Sequence, residues 1–90
     1  MPYIKQDRRE VFKNELERLV KQIENKGELT YCIYKLGVDY LKYHKMCYQN
    51  ISDVCASMKD SEHEIRRRIL DNYEDKKIKE NGDIRWLEKY

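Results

Sequence analysis

Four side chains in this sequence could be assembled into a zinc site or a nucleophile and its base: His44, Cys47, Cys55 and His63. His44-x-x-Cys47 has local zinc-ligand spacing, because Zn²⁺ takes imidazole nitrogen and thiolate together. The remaining pair does not complete the set. Cys55 and His63 lie eight residues apart, which on a helix separates them by about 80° in direction and ~12 Å in height. A cysteine nucleophile needs its thiol pKa lowered by a neighbouring cation or base, and no local motif supplies one. There is no G-x-S-x-G elbow, P-loop or G-x-G-x-x-G turn. Cys32, Cys47 and Cys55 then read as small hydrophobes in a reducing compartment, and no enzyme, metal or cofactor is expected.

Arg66-Arg67-Arg68 is the sharpest charge feature. Three consecutive arginines spread about 200° round a helix, so they meet different surroundings. Relative to an apolar face centred between Ile65 and Ile69, Arg66 and Arg68 flank the seam and Arg67 points away, which leaves a guanidinium for an anion or a partner subunit. Glu62, Glu64 and Asp71 stand at helix-pair spacings and would equally satisfy these arginines in exposed pairs of little energetic weight. Eight tyrosines accompany them. Aromatic rings stack nucleobases at roughly 1–3 kcal/mol per base while Arg and Lys hold phosphates, so Tyr with Arg is the minimal chemistry of a nucleotide pocket. The same pairing builds protein interfaces. Tyr40 and Tyr73 fall in apolar stripes and are expected in the core. Tyr3, beside the only proline, is the ring the core needs least.

Positioning these groups falls to helices. One proline and three glycines punctuate the chain, and apolar residues between them recur at helical spacing, so the fold class is all-α. A first helix is predicted over residues 7–25, with Asp7 and Glu10 as a capping-box-like start and Phe12, Leu16, Leu19, Val20 and Ile23 as its stripe. Asn25-Lys26-Gly27 is read as its end, Gly27 taking the left-handed closing position. A second helix begins near Glu28 and carries Leu29, Ile33, Leu36, Tyr40 and Tyr43 at spacings of four and three. Gly37 costs about 1 kcal/mol against alanine inside it, which suggests a close helix crossing. Residues 42–50 read as a loop. A long third helix starts at Asn50 or Ser52, with Ile51, Val54, Cys55, Met58, Glu62, Ile65, Ile69 and Tyr73 on one face, and runs on past Tyr73. Asn81-Gly82-Asp83 stops it. The expected architecture is a single small helical domain, residues 1–90, of three main helices, with an arm at 1–6 and a tail at 84–90 that docks through Ile84, Trp86 and Leu87.

The bulk numbers agree. Ninety residues, 40% of them charged, leave room for one domain. Val, Ile, Leu and Phe fill 20 of the 90 positions, close to the composition at which chains cease to fold, and a chain this short buries only roughly 60–68% of its unfolded surface. A homo-oligomer is therefore expected. The longest run without charge, residues 46–52, is far below the ~20 apolar residues of a membrane span. The N-terminus lacks the apolar stretch of a signal peptide, and the cytoplasm is the expected location. A net charge of +2 with no basic tail argues against long nucleic acid as a partner.

Four stretches together resemble a family of small phage-borne helical proteins. They are Met1-Pro2-Tyr3-Ile4-Lys5, Gly27-Glu28-Leu29-Thr30-Tyr31, Arg67-Arg68, and Tyr73-Glu74-Asp75-Lys76-Lys77-Ile78-Lys79-Glu80-Asn81-Gly82-Asp83. The last is the most specific and the arginine pair the least. The likeness is to the anti-CBASS sponges, non-enzymatic homotetramers that sequester cyclic dinucleotide signals such as 3′3′-cyclic GMP-AMP in the host cytoplasm. Residues 43–57 depart from the family pattern, so ligand contacts there do not carry over. The resemblance implies Arg67 and Lys77 on the phosphates and Tyr3 stacked on a base, with Arg68, Tyr73 and Asn81 as further ligand contacts. For the terminal motif a purely structural alternative has Tyr73 packed, Glu74 and Asp75 paired with Lys77 and Lys79, and Asn81-Gly82 as a cap. Two other functions fit the residues: an inhibitor or adaptor that binds a host protein through the tyrosines, and a small DNA-binding regulator.

Overall fold

Helix α1, Gln6–Val20, opens the chain in the structure, a computed structural model that describes residues 2–84. Its N-cap is Lys5, not Asp7, and no side chain caps it. The Lys5 carbonyl accepts the N–H groups of Arg8 and Arg9, both at 3.1 Å, so the helix starts two residues earlier than a cap at Asp7 allows. Asp7 sits in the first turn, where its charge complements the helix dipole, and accepts from the N–H of Arg8 at 3.0 Å. Arg9 Nε donates to the Ile4 carbonyl at 2.6 Å and ties the N-terminal arm to the helix.

Helix α1 stops at Val20, short of Asn25, because Asn25 does other work. Gln22 and Ile23 donate to the carbonyls three residues back, the tightening common at helix ends. Asn25 is the N-cap of α2, Lys26–His44: its side chain accepts from the Glu28 N–H at 2.9 Å. The Glu28 carboxylate reaches back to the Glu24 N–H at 2.8 Å. This is a capping box displaced by one residue. Gly27 thus lies inside α2 and not in the left-handed closing position; the one glycine with positive φ is Gly82. Asparagine is favoured at N-caps and tolerated at helix ends alike, and residue type alone did not separate the two.

The loop expected over residues 42–50 shrinks to 45–47. Helix α2 continues through Tyr43 and His44, whose rings meet at 5.2 Å, with Tyr40 against His44 at 4.3 Å. Helix α3, Tyr48–Ile65, begins before Asn50, whose side-chain amide donates to the Lys45 carbonyl at 3.0 Å and closes the connection. A π-helical turn, Arg66–Leu70, follows, then α4, Asp71–Asn81. Helical backbone is therefore contiguous from Tyr48 to Asn81, the long third helix. Gly82 ends it as expected, with φ 84° and its N–H on the Ile78 carbonyl at 2.8 Å. Trp86 and Leu87, expected to dock the tail, lie outside the described residues. Among the described residues there is no strand, and no helix is long and apolar enough to cross a membrane.

The chain divides into two compact units, Met1–Met58 and a second that begins at Lys59. In the first, α2 meets α3 at Gly37. A Cβ on Gly37 would stand 2.9 Å from Val54 Cγ1 and 2.7 Å from Met58 Cε, so the close crossing expected at this glycine is present. Gly37 is the one buried residue among those described, and no apolar side chain is buried. Tyr40 and Tyr73, expected in the core, are 43% and 55% exposed. The stripes keep helical spacing, but their side chains stay exposed or half-buried among the described residues.

Candidate functional site

The arginine triplet forms the first three residues of the π turn, in which the Asp71 N–H bonds the Arg66 carbonyl five residues back. Such a turn displaces carbonyls from their regular partners. Asn72 donates its side-chain amide to the Arg68 carbonyl at 2.8 Å. Arg66 Nε donates to Glu62 Oε1. Arg67 places both Nε, at 3.1 Å, and Nη2, at 2.6 Å, on Glu64 Oε1. The Glu64 side chain is 19% exposed against 66% for Arg67. The hydrogen bond from Arg66 holds the Glu62 carboxyl below the usual carboxylate range, and Glu62 in turn holds the Arg66 proton more firmly. The carboxylate pairing foreseen for these arginines is therefore present at Arg66 and Arg67.

In α4, Lys77 Nζ stands 5.6 Å from the centroid of the Tyr73 ring and 3.4 Å from Glu80 Oε2. Lys77 pairs with Glu80 and not with Glu74, a partner the three-residue spacing offered and sequence reasoning passed over. Asn81, the last residue of α4, follows Lys77 by one turn. An aromatic face, an ammonium and an amide thus occupy neighbouring positions on one helix. Arg67 does not join them. Ten residues of α-helix would set Arg67 and Lys77 about 80° apart, and the extra residue of the π turn carries this to roughly 180°, with ~15 Å between them along the axis. Tyr3 belongs to the first unit and is 45% exposed.

A groove of about 480 Å³ opens in the first unit between Leu19, Gln22 and Ile23 and the start of α2 at Gly27, Glu28, Tyr31 and Cys32. Its one charged lining residue is Glu28, which disfavours a phosphate. None of Tyr3, Arg67, Arg68, Tyr73, Lys77 or Asn81 lines it. Among the described residues no group of three or more His, Cys, Asp and Glu side chains converges as a metal site would require.

Helices whose apolar stripes stay open, with cations and rings on the last of them, define a small all-helical protein. The chain belongs to the family described as Domain of unknown function (DUF6899), which it matches over residues 1–84. Neither a curated protein nor a solved structure matches it.

Proposed function

We propose that this protein is a non-enzymatic phage protein that sequesters cyclic dinucleotides such as 3′3′-cyclic GMP-AMP, and so blunts CBASS defence in the host cytoplasm. It acts as a homotetramer, with its ligand sites shared between copies. The observation that carries this reading is the Lys77 ammonium 5.6 Å from the Tyr73 ring, which sets a base-stacking face beside a phosphate-binding charge. The resemblance of the 73–83 segment to the sponge family supports it independently of that geometry. Arg67, on the far side of the helix from Lys77, serves a phosphate held against another copy, and the ligand competes with Glu64 for its guanidinium.

The test is a thermal shift of the purified protein against cyclic di- and trinucleotides, with ATP as a control. Ligand at ~100 times its Kd stabilises the folded state by about 2.7 kcal/mol. A selective rise in Tm that Lys77→Ala removes is the expected result. No response to any cyclic nucleotide overturns the reading. Tyr34 and Tyr48, 67% and 86% exposed in the first unit, favour as second reading an adaptor that binds a host protein; a stoichiometric host partner recovered without nucleotide would establish it.

A further inference from the structure

Laid out at 100° per residue, helix α2 shows three sectors beside a fourth that carries Tyr31, Tyr34 and Val38. One, centred on Gly37, meets Val54 and Met58 of α3. A second carries Glu28, Lys35, Asp39 and Lys42, with Lys35 and Asp39 paired at 2.9 Å. The third holds Leu29, Ile33, Leu36, Tyr40 and Tyr43 and no charged residue. These five lie at spacings of four, three, four and three, the core spacing of a heptad seam. They are 45%, 48%, 70%, 43% and 86% exposed.

We propose that this seam is a two-fold interface, α2 of one copy packed antiparallel on α2 of a second. Heptad spacing fits an opposing helix with the same spacing, and the chain supplies one in its own copy. The area agrees. At roughly 200 Å² for each fully exposed large side chain, the five leave about 600 Å² per copy, and two-fold use doubles this to about 1,200 Å², the lower bound of stable interfaces. A seam without charge meets itself without repulsion. Antiparallel pairing centres on Leu36 and sets the aliphatic end of each seam against the tyrosine end of the other, Leu29 on Tyr43 and Ile33 on Tyr40, so that large residues face small ones. This interface deepens the assembly half of the proposed function, a tetramer being two such dimers, and it is independent of the ligand half.

Sedimentation equilibrium of the full chain without nucleotide tests it. Wild type is expected as a dimer or a multiple of one. Leu36→Lys, which sets two ammonium groups face to face, weakens the dimer on the order of a hundredfold while circular dichroism stays helical. If Leu36→Lys fails to fold, Leu29→Cys and Tyr43→Cys chains, both with Cys32, Cys47 and Cys55 changed to serine, are mixed and oxidised. The mixed disulfide is expected to dominate. A monomeric wild type, an undiminished oligomer in folded Leu36→Lys, or like-with-like disulfides alone would overturn the proposal. A dimer that persists while no nucleotide binds would sink the sponge and leave the interface standing.

Discussion

Replacing Gly37 by alanine sets two opposed terms against each other. In a helix interior alanine gains about 1 kcal/mol over glycine. At Gly37 the new methyl would stand 2.7 Å from Met58 Cε and 2.9 Å from Val54 Cγ1, and overpacking of this kind costs about 1–3 kcal/mol. Met58 can move its terminal methyl at the expense of a rotamer, roughly 0.5–1.5 kcal/mol. Val54 cannot, because a β-branched residue in a helix has one strongly preferred χ1, so the helices must part. The net expectation is a loss of about 1 kcal/mol, a fall in Tm of roughly 4–8 °C, read by circular dichroism at fixed protein concentration because assembly moves Tm as well. Gly27→Ala is the control: its nearest neighbour would be Asn25 Oδ1 at 3.4 Å, and it should be neutral or stabilising. Val54→Ala should recover part of the loss in the Gly37→Ala background, a coupling a double-mutant cycle isolates. A rise in Tm on Gly37→Ala would refute the close approach of α2 and α3.

Asn25→Ala removes the side-chain acceptor of the Glu28 N–H and should cost about 1 kcal/mol in denaturant unfolding. Gly82→Ala forces a Cβ onto a backbone at φ 84°, a strain of order 1–3 kcal/mol; hydrogen exchange should show the amide at 82 losing protection as the last turn of α4 frays. Glu62 titrates below its ordinary range because of Arg66. What that pair adds to stability is present above the unfolded-state pKa and lost as pH falls through the lower folded value, and Arg66→Gln should return the Glu62 carboxyl upward by NMR titration. Glu64→Gln weakens the carboxylate's hold on Arg67 and should tighten cyclic dinucleotide binding, as calorimetry would record.

Helix type and number were legible in the sequence because apolar periodicity survives whatever covers the apolar face. Boundaries were not, where one residue suits two roles: Asn25 serves as readily to start α2 as to end α1. Gly37 announced its crossing because a glycine inside a strong helical pattern carries an unfavourable propensity that close packing explains. The π turn had no such signal. Arg66-Arg67-Arg68 reads as ordinary helix, and Asn72, whose amide donates to the Arg68 carbonyl, is one of many polar residues on an exposed face. Periodicity placed Tyr40 and Tyr73 in apolar stripes, yet both are exposed, because a stripe says only that a face is apolar, not that its own chain covers it.

The π turn bears on how a site could be shared. With the turn present, Arg67 and Lys77 fall on nearly opposite sides of the helix, roughly 180° apart, so one chain cannot close both on a single ligand, and two chains can. Subunit mixing separates these cases. Arg67→Ala and Lys77→Ala homomers should each lose binding. In a mixed dimer, the intact Arg67 of the Lys77→Ala chain and the intact Lys77 of the Arg67→Ala chain together form one complete site, while the other site loses both. With random exchange half the dimers are mixed, so about a quarter of the sites return at wild-type affinity. Recovery of that amplitude, with an unchanged Kd, is the expected calorimetric result after unfolding and refolding the two variants together. Sites built within one chain would recover none, and the phase argument from the π turn would then be wrong.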